Sequence, residues 1–258
     1  MDLKLQGKTA IVTGGSKGIG RAVAVQLAAE GCDLHLAART AADLEAVRDE
    51  IMAQHQVGVT LHAADLGQPG APEAAAAGEA EILVNNAGAI PGGSLEKVDE
   101  ATWREAWNLK VFGYVNLTRA VYAKLKAKGG GVIVNVIGAA GERQDFNYVA
   151  GSTGNAGLMA FTRALGSESA ADNIRIVAVN PGMTETDRLV TLMRGSAQDK
   201  GLDPNDWRSL LTGLPFGRPG TAAEVADLVV FLASSRASYI SGTVVTIDGG
   251  NSARGVHF

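Results

Sequence analysis

Short apolar runs alternate along the chain with longer stretches in which apolar side chains recur every three or four residues. The runs "TAIVTGG" (9–15), "DLHLAA" (33–38), "VTLHAADL" (59–66), "ILVNNAG" (82–88), "GVIVNVIG" (131–138), "IRIVAVNPG" (174–182) and "TVVTIDGG" (243–250) read as strands. Most are apolar on both faces, as strands inside a parallel sheet must be. Between the first two, positions 21–30 set Val23 and Leu27 on one face before Gly31 stops the helix. Positions 41–54 set Leu44, Val47 and Ile51 on one face in the same way. Further helices are predicted near 99–127, 155–170 and 221–234, and "APEAAAAGEAE" (71–81) reads as a short alanine-rich surface helix. This alternation predicts an α/β chain whose parallel sheet is covered by helices on both sides. No linker, repeat or abrupt change of composition divides the 258 residues, so a single domain spanning 1–258 is expected.

Composition adds mainly exclusions. Apolar residues make up 46% and charged residues 19%, a globular mix, and the net charge of −4 comes without a Lys/Arg run that would mark a nucleic-acid or anionic-membrane surface. Cys32 is alone, so it forms no internal disulfide. The histidines His35, His55, His62 and His257 show no metal-ligand spacing, and no metal is expected. "MDLKLQGKTAIVTGG" mixes charges where a secretory signal carries an apolar run, and a cytoplasmic location is expected.

The first strand runs into "TGGSKGIGRA" (13–22), a glycine turn opening a helix. Gly14, Gly18 and Gly20 allow a tight turn and close backbone approach to a pyrophosphate, with Ser16, Lys17 and Ile19 completing the loop. The new helix adds unpaired N–H groups and its positive end. At the end of the second strand, a carboxylate would bind ribose hydroxyls and repel a 2′-phosphate. That position is Ala38, followed by Arg39, with Lys17 nearby. Two cations and no acid favour NADP(H) over NAD(H); two solvated surface charges are the alternative.

"TGGSKGIG", "DL" at 65–66, "NNAG" (85–88), "NPGMTETD" (180–187) and "YISGTVVTIDGG" (239–250) occur in order over almost the whole chain. In this the sequence resembles the short-chain dehydrogenase/reductase family. The resemblance implies a single-domain Rossmann-like fold, a doubly wound parallel sheet of about seven strands with helices on both faces. It implies that Asp65 and Leu66 flank the adenine and that Asn86, Ala87 and Gly88 line the adenosine ribose. Pro181, Gly182, Thr184 and Thr186 would hold the nicotinamide end, and about 187–215 would form a substrate lid. A small-molecule substrate and a homodimer or homotetramer are implied as well, the latter built partly on the helices near 101–127 and 155–170.

The catalytic pattern of the family breaks in this chain. The family pairs a proton-exchanging tyrosine with a lysine four residues on, a serine on the preceding strand end and an asparagine in an earlier helix. Laid without gaps, the family run "YSASKAALxAFTRALG" falls on "GSTGNAGLMAFTRALG" (151–166), which puts Gly151 at the tyrosine and Asn155 at the lysine. Counting back puts Gly138 at the serine. "VFGYVNLTRAV" (111–121) places Lys110, not Asn108, at the asparagine. Lysine and asparagine have exchanged places, and two glycines are expected to enlarge the pocket.

Lys110 is a candidate for binding ribose or relaying a proton, or else a helix lysine facing solvent. Asn155 is a candidate for the nicotinamide ribose. Tyr148, three residues before Gly151, is either a stand-in acid or a packing residue in the approach loop. Glu142, Arg143, Gln144 and Asp145 read as loop residues, and Ser152 as a helix cap. The function expected is an NADP(H)-dependent oxidoreductase of short-chain type, acting on a carbonyl or alcohol with a non-standard site. The alternatives are a catalytically weak or inactive NADP(H)-binding sensor or partner subunit, and a site for another nucleotide-like ligand.

Overall fold

The computed structural model describes residues 2–254, so His257 lies outside the described residues. Five βα units come first: β1 (Thr9–Thr13), α1 (Gly18–Ala29), β2 (Asp33–Ala38), α2 (Ala41–Gln54), β3 (Val59–Ala63), α3 (Ala71–Ala75), β4 (Ile82–Asn85), α4 (Glu100–Trp107), α5 (Gly113–Lys128), β5 (Gly131–Val136) and α6 (Val149–Glu168). There follow β6 (Ile174–Pro181), the short strands β7 (Thr184–Glu185) and β8 (Gly220–Thr221), α7 (Asp187–Asp199), α8 (Ala222–Ala233) and β9 (Val244–Ile247). Seven strands form one parallel sheet in the order β3-β2-β1-β4-β5-β6-β9. Its order reverses between β1 and β4, so a crevice opens there at the carboxyl ends of the strands, where ligands of such sheets bind.

The runs read from the sequence account for this sheet because their middles are fully buried. Ile82, Leu83 and Val84 of β4 and Ile176, Val177, Ala178 and Val179 of β6 expose nothing. One face packs α1, α2 and α8 through Val23, Leu27, Leu44, Ile51, Val225 and Val229. The other packs α5 through Leu117, Val121 and Leu125. Among the described residues no helix is long and apolar enough to cross a membrane.

Two helices differ from the pattern. The stretch expected as one helix near 99–127 contains a π-helical turn at Asn108–Phe112 between α4 and α5. The helix expected from 155 begins six residues earlier, at Val149. Its opening glycines give no apolar period, and neighbours fix the helix instead: a Cβ at Gly154 would lie 3.1 Å from Val111 and 3.2 Å from the Trp107 indole nitrogen.

Cys32 is wholly buried and donates its thiol hydrogen to the Leu5 carbonyl at 3.4 Å. Burial, with Glu30 adding to it, pushes the thiol up to about 12, so it is unreactive in the fold.

The histidines are less scattered than their spacing suggests. His35 on β2 and His62 on β3 stack with ring centroids 5.2 Å apart and share a hydrogen bond of 2.9 Å. Even so, no group of three or more His, Cys, Asp or Glu able to hold a metal is present among the described residues. Burial lowers the titration of both rings, and the neighbouring His62 lowers His35 further. Below the ordinary value of 6.5 the unfolded chain therefore binds more protons than the fold, and stability falls as pH falls. The melting temperature is expected to drop by a few degrees between pH 7 and pH 5, and less so in His62→Gln, which keeps a hydrogen-bonding amide. Calorimetric scans across that range check this; equal slopes for the two proteins would refute it.

Candidate active site

The carboxyl ends of β1, β4, β5 and β6 carry the candidate residues. Thr13 ends β1 with its hydroxyl turned to the β4 end, where it accepts the N–H groups of Asn86 at 2.9 Å and Ala87 at 3.0 Å. Asn86 returns the bond, donating Nδ2 to the Thr13 carbonyl at 3.0 Å. The Asn86 Nδ2 is thus engaged with the glycine turn. The turn itself needs glycine: Gly14 and Gly18 have φ of +64° and +53°, and a Cβ at Gly20 would sit 2.2 Å from the Gly14 carbonyl oxygen. Helix α1 therefore starts at Gly18, earlier than its apolar period indicated, with Lys17 at its N-cap and Ser16 and Ile19 partly buried beside it. Such a strand, close glycine turn and helix start form an anion cradle.

A buried ladder extends from this turn across the sheet. Asn85 donates Nδ2 to Thr118 at 3.0 Å and to Asn135 Oδ1 at 2.9 Å, and Asn135 donates to Thr162 of α6 at 3.0 Å.

At the end of β2, Arg39 is exposed and makes no ion pair among the described residues. Lys17 is paired with Asp43 at 2.8 Å, so an acid does stand beside the cations, contrary to the sequence reading, and it neutralises one of them. Asp43 lies in the first turn of α2, outside the strand end where an acid was sought. Arg39, Asp65, Ala89, Pro91, Asn108 and Arg188 line a cavity of about 390 Å³. Asp65 accepts the Gly67 N–H at 3.0 Å, and the Leu66 side chain is in the core, leaving only its backbone to face a ligand. At the far end, Gly182 beyond Pro181 donates its N–H to Ile247 at 3.0 Å, and Thr184 donates its hydroxyl to the Gly182 carbonyl at 3.1 Å. Thr186 caps α7 and lays its methyl against Gly18, 3.2 Å from where a Cβ would be.

The remaining candidates converge beyond β5. Lys110 sits in the π-helical turn, with its stem over Gly88, where a Cβ would meet its Cδ at 2.7 Å. Its ammonium donates to the Ile137 carbonyl at 2.6 Å, so it turns inward, not to solvent. Desolvation, aided by Arg188, lowers it to about 8. Gly138 follows with φ +141°, and the Asn155 Nδ2 lies 2.9 Å from the site of its missing Cβ. The Asn155 Oδ1 is buried without a hydrogen-bond partner, a costly state in a protein interior.

Tyr148 is the N-cap of α6, and its ring covers Gly151: a Cβ there would lie 2.0 Å from the phenol Cζ. The two glycines therefore do not enlarge the pocket, since Tyr148 and Asn155 fill the space they leave. The ring packs against Ile90, Ala106 and Ala150, a cluster that Trp103 and Trp107 also cover. Burial raises the phenol's titration, and Arg188 partly opposes this. Ser152 does not cap the helix; its Oγ accepts the Asp145 N–H at 3.1 Å and fastens the preceding loop. In that loop Glu142 binds Asn180 at 3.3 Å and Thr246 at 2.8 Å, Arg143 donates to the Asn251 carbonyl and Gln144 to the Gly141 carbonyl.

Sequence reasoning missed Arg188. It lies in the first turn of α7 and donates Nη2 to the Ile90 carbonyl at 2.8 Å, spanning the crevice. The only sequence signal was its place two residues after Thr186.

Comparison with known proteins agrees with this architecture. Residues 8–196 match the short chain dehydrogenase family model. The 3-oxoacyl-(acyl-carrier-protein) reductase FabG of Aquifex aeolicus is 33% identical, over 97% of this chain and 99% of that protein. L-sorbose reductase from Gluconobacter frateurii, solved with NADPH and L-sorbose, superposes with a TM-score of 0.92 at 30% identity, covering 96% of this chain and 98% of that one. A 7α-hydroxysteroid dehydrogenase solved with NADH has a TM-score of 0.86 at 29% identity, each chain covered to 96%. The family model spans the glycine turn, the β4 end, Lys110, Tyr148 and Arg188 alike, and the chain belongs to the short-chain dehydrogenase family of oxidoreductases.

Proposed function

We propose that this protein is an NADP(H)-dependent oxidoreductase that interconverts a carbonyl and an alcohol on a small molecule, using a non-standard set of polar residues. The observation that carries this reading is the convergence of Lys110, Asn155 and Tyr148 at the end of the crevice that begins at the glycine cradle. The cofactor fits the residues present. The Gly14–Gly20 contact leaves room for backbone alone beside a pyrophosphate, and the unpartnered Asn155 Oδ1 awaits a hydroxyl donor such as a ribose. When bound, a nicotinamide supplies or accepts the hydride.

Gly14, Ser16, Lys17, Gly18, Ile19 and Gly20 would hold the pyrophosphate, with Asp65, Leu66, Ala87 and Gly88 along the adenosine. Pro181, Gly182, Thr184 and Thr186 would hold the nicotinamide end. Arg39, in no ion pair among the described residues, would take the 2′-phosphate. Lys110 is the proton donor in this reading, because desolvation brings its ammonium close to neutral pH. Tyr148 presents its hydroxyl over Gly151, and the segment 187–215 closes the substrate side. The reading also makes the protein a single-domain, cytoplasmic homodimer or homotetramer. A groove of about 610 Å³ lined by Leu95, Val98, Trp103, Trp107 and Phe112 offers a surface for a second copy. A second reading, an NADP(H)-binding protein without turnover, draws on the absence of side chains at Gly138 and Gly151.

Three outcomes test the proposal. Carbonyl reduction by a proton-donating Lys110 is full below about 8 and is lost as pH rises through that value. In Lys110→Met the rate falls by about 10²- to 10⁴-fold and the pH dependence flattens. No NADPH oxidation with any member of a carbonyl panel, despite bound cofactor, selects the second reading. Arg39→Ala is expected to weaken NADPH by about ten- to a hundredfold and leave NADH unchanged, by calorimetry. Equal losses for both cofactors refute the 2′-phosphate role. Gly151→Ala forces its methyl into the Tyr148 ring, so its loss of turnover should match that of Tyr148→Phe, and the double variant should be no worse than either. Additive losses would separate Tyr148 from the chemistry.

A further inference from the structure

Arg188 has hydrogen-bonding capacity that none of these roles uses. Its guanidinium carries five donors, of which one reaches the Ile90 carbonyl at 2.8 Å. No carboxylate among the described residues lies within ion-pair distance of it, whereas the nearby Glu185 is taken by Arg208. Ile90 is buried against Ala106 and Ala150, with Tyr148 packed beside it, so the Arg188–Ile90 bond brings the guanidinium next to the catalytic end of the crevice. Lys110 approaches the same end with its stem on Gly88, two residues before Ile90. Asp65 and Glu105 line the same cavity as Arg188, Asp65 holding the Gly67 N–H, but neither lies within ion-pair distance of the guanidinium. Among the described residues, neither Lys110 nor Arg188 is in an ion pair at this end of the crevice.

From this the geometry points to a substrate that carries a carboxylate, a 2-oxo acid or its hydroxy acid, held through its charged end by the Arg188 fork. A planar guanidinium pairs with a carboxylate through two parallel N–H bonds. The fork takes a single carboxylate, whereas Asp65 and Glu105 on the same cavity wall disfavour a doubly charged phosphate ester. Arg188 would release Ile90 for the substrate and draw the first turn of α7 over the crevice. This inference rests on the oxidoreductase reading for the reacting carbonyl, but the anion site itself is testable without turnover.

The test is calorimetric titration of the NADP⁺-loaded full chain with phenylglyoxylate and with its uncharged counterpart acetophenone. Wild type should bind phenylglyoxylate about 10- to 100-fold more tightly than acetophenone. Arg188→Met should abolish that preference, and Arg188→Lys should restore part of it, since an ammonium keeps the charge without the fork. A thermal melt identical to wild type shows that the Met variant folds. Equal binding of the two ligands by wild type overturns the inference while leaving carbonyl reduction intact. A preference unchanged in Arg188→Met, with weakened NADPH instead, also overturns it and assigns Arg188 to the cofactor. If the preference is present but nothing is reduced, the anion site stands and the oxidoreductase reading fails.

Discussion

The chain of buried amides and hydroxyls at the carboxyl ends of the strands holds the candidate site together. Thr13 fixes Asn86 and Ala87, Asn85 joins Asn135 and Thr118, and Asn135 reaches Thr162 on α6. Polar groups in so apolar a layer are costly unless satisfied, so strand register and helix position are fixed together. Slide β5 by one residue against β4 and the Asn85–Asn135 pair is lost. Through this ladder the glycine turn on β1 and the middle of α6 at Thr162 become parts of one rigid unit, although their residues lie more than a hundred positions apart.

What that unit presents is unevenly charged. Around the sheet several cations are paired: Lys17 with Asp43, Arg21 with Glu50, Arg218 with Glu224. Inside the crevice, among the described residues, the only side-chain hydrogen bond of Lys110 is to the Ile137 carbonyl and that of Arg188 to the Ile90 carbonyl. Carbonyl dipoles stabilise a cation partly and leave its field uncancelled, and each charge makes the other harder to keep. Such a field favours any species that gains or carries negative charge there.

The sheet was legible because burial on both faces writes itself into composition, and α2 was read to its bounds because Leu44, Val47 and Ile51 keep period. The opening of α6 was not, since Gly151, Gly154 and Gly157 contribute no period and the helix is set there by Trp107, Val111 and Tyr148. The π-helical turn at Asn108–Phe112 leaves no mark in residue types; only a backbone shows it. Lys110 was identified by alignment, yet its inward direction depends on that turn. The His35–His62 contact requires the β2–β3 register, and Arg188 requires the position of α7, neither of which a linear pattern encodes.

The Tyr148 ring and the bare backbone of Gly151 occupy one steric slot. A lineage leading from a phenol at 151 to this arrangement, or back, must pass through a chain with an empty slot or a doubly filled one. The two positions therefore change as a pair. A library varying either alone samples mostly crowded or hollow variants, and only joint randomisation of 148 and 151 explores where this scaffold can hang an aromatic hydroxyl.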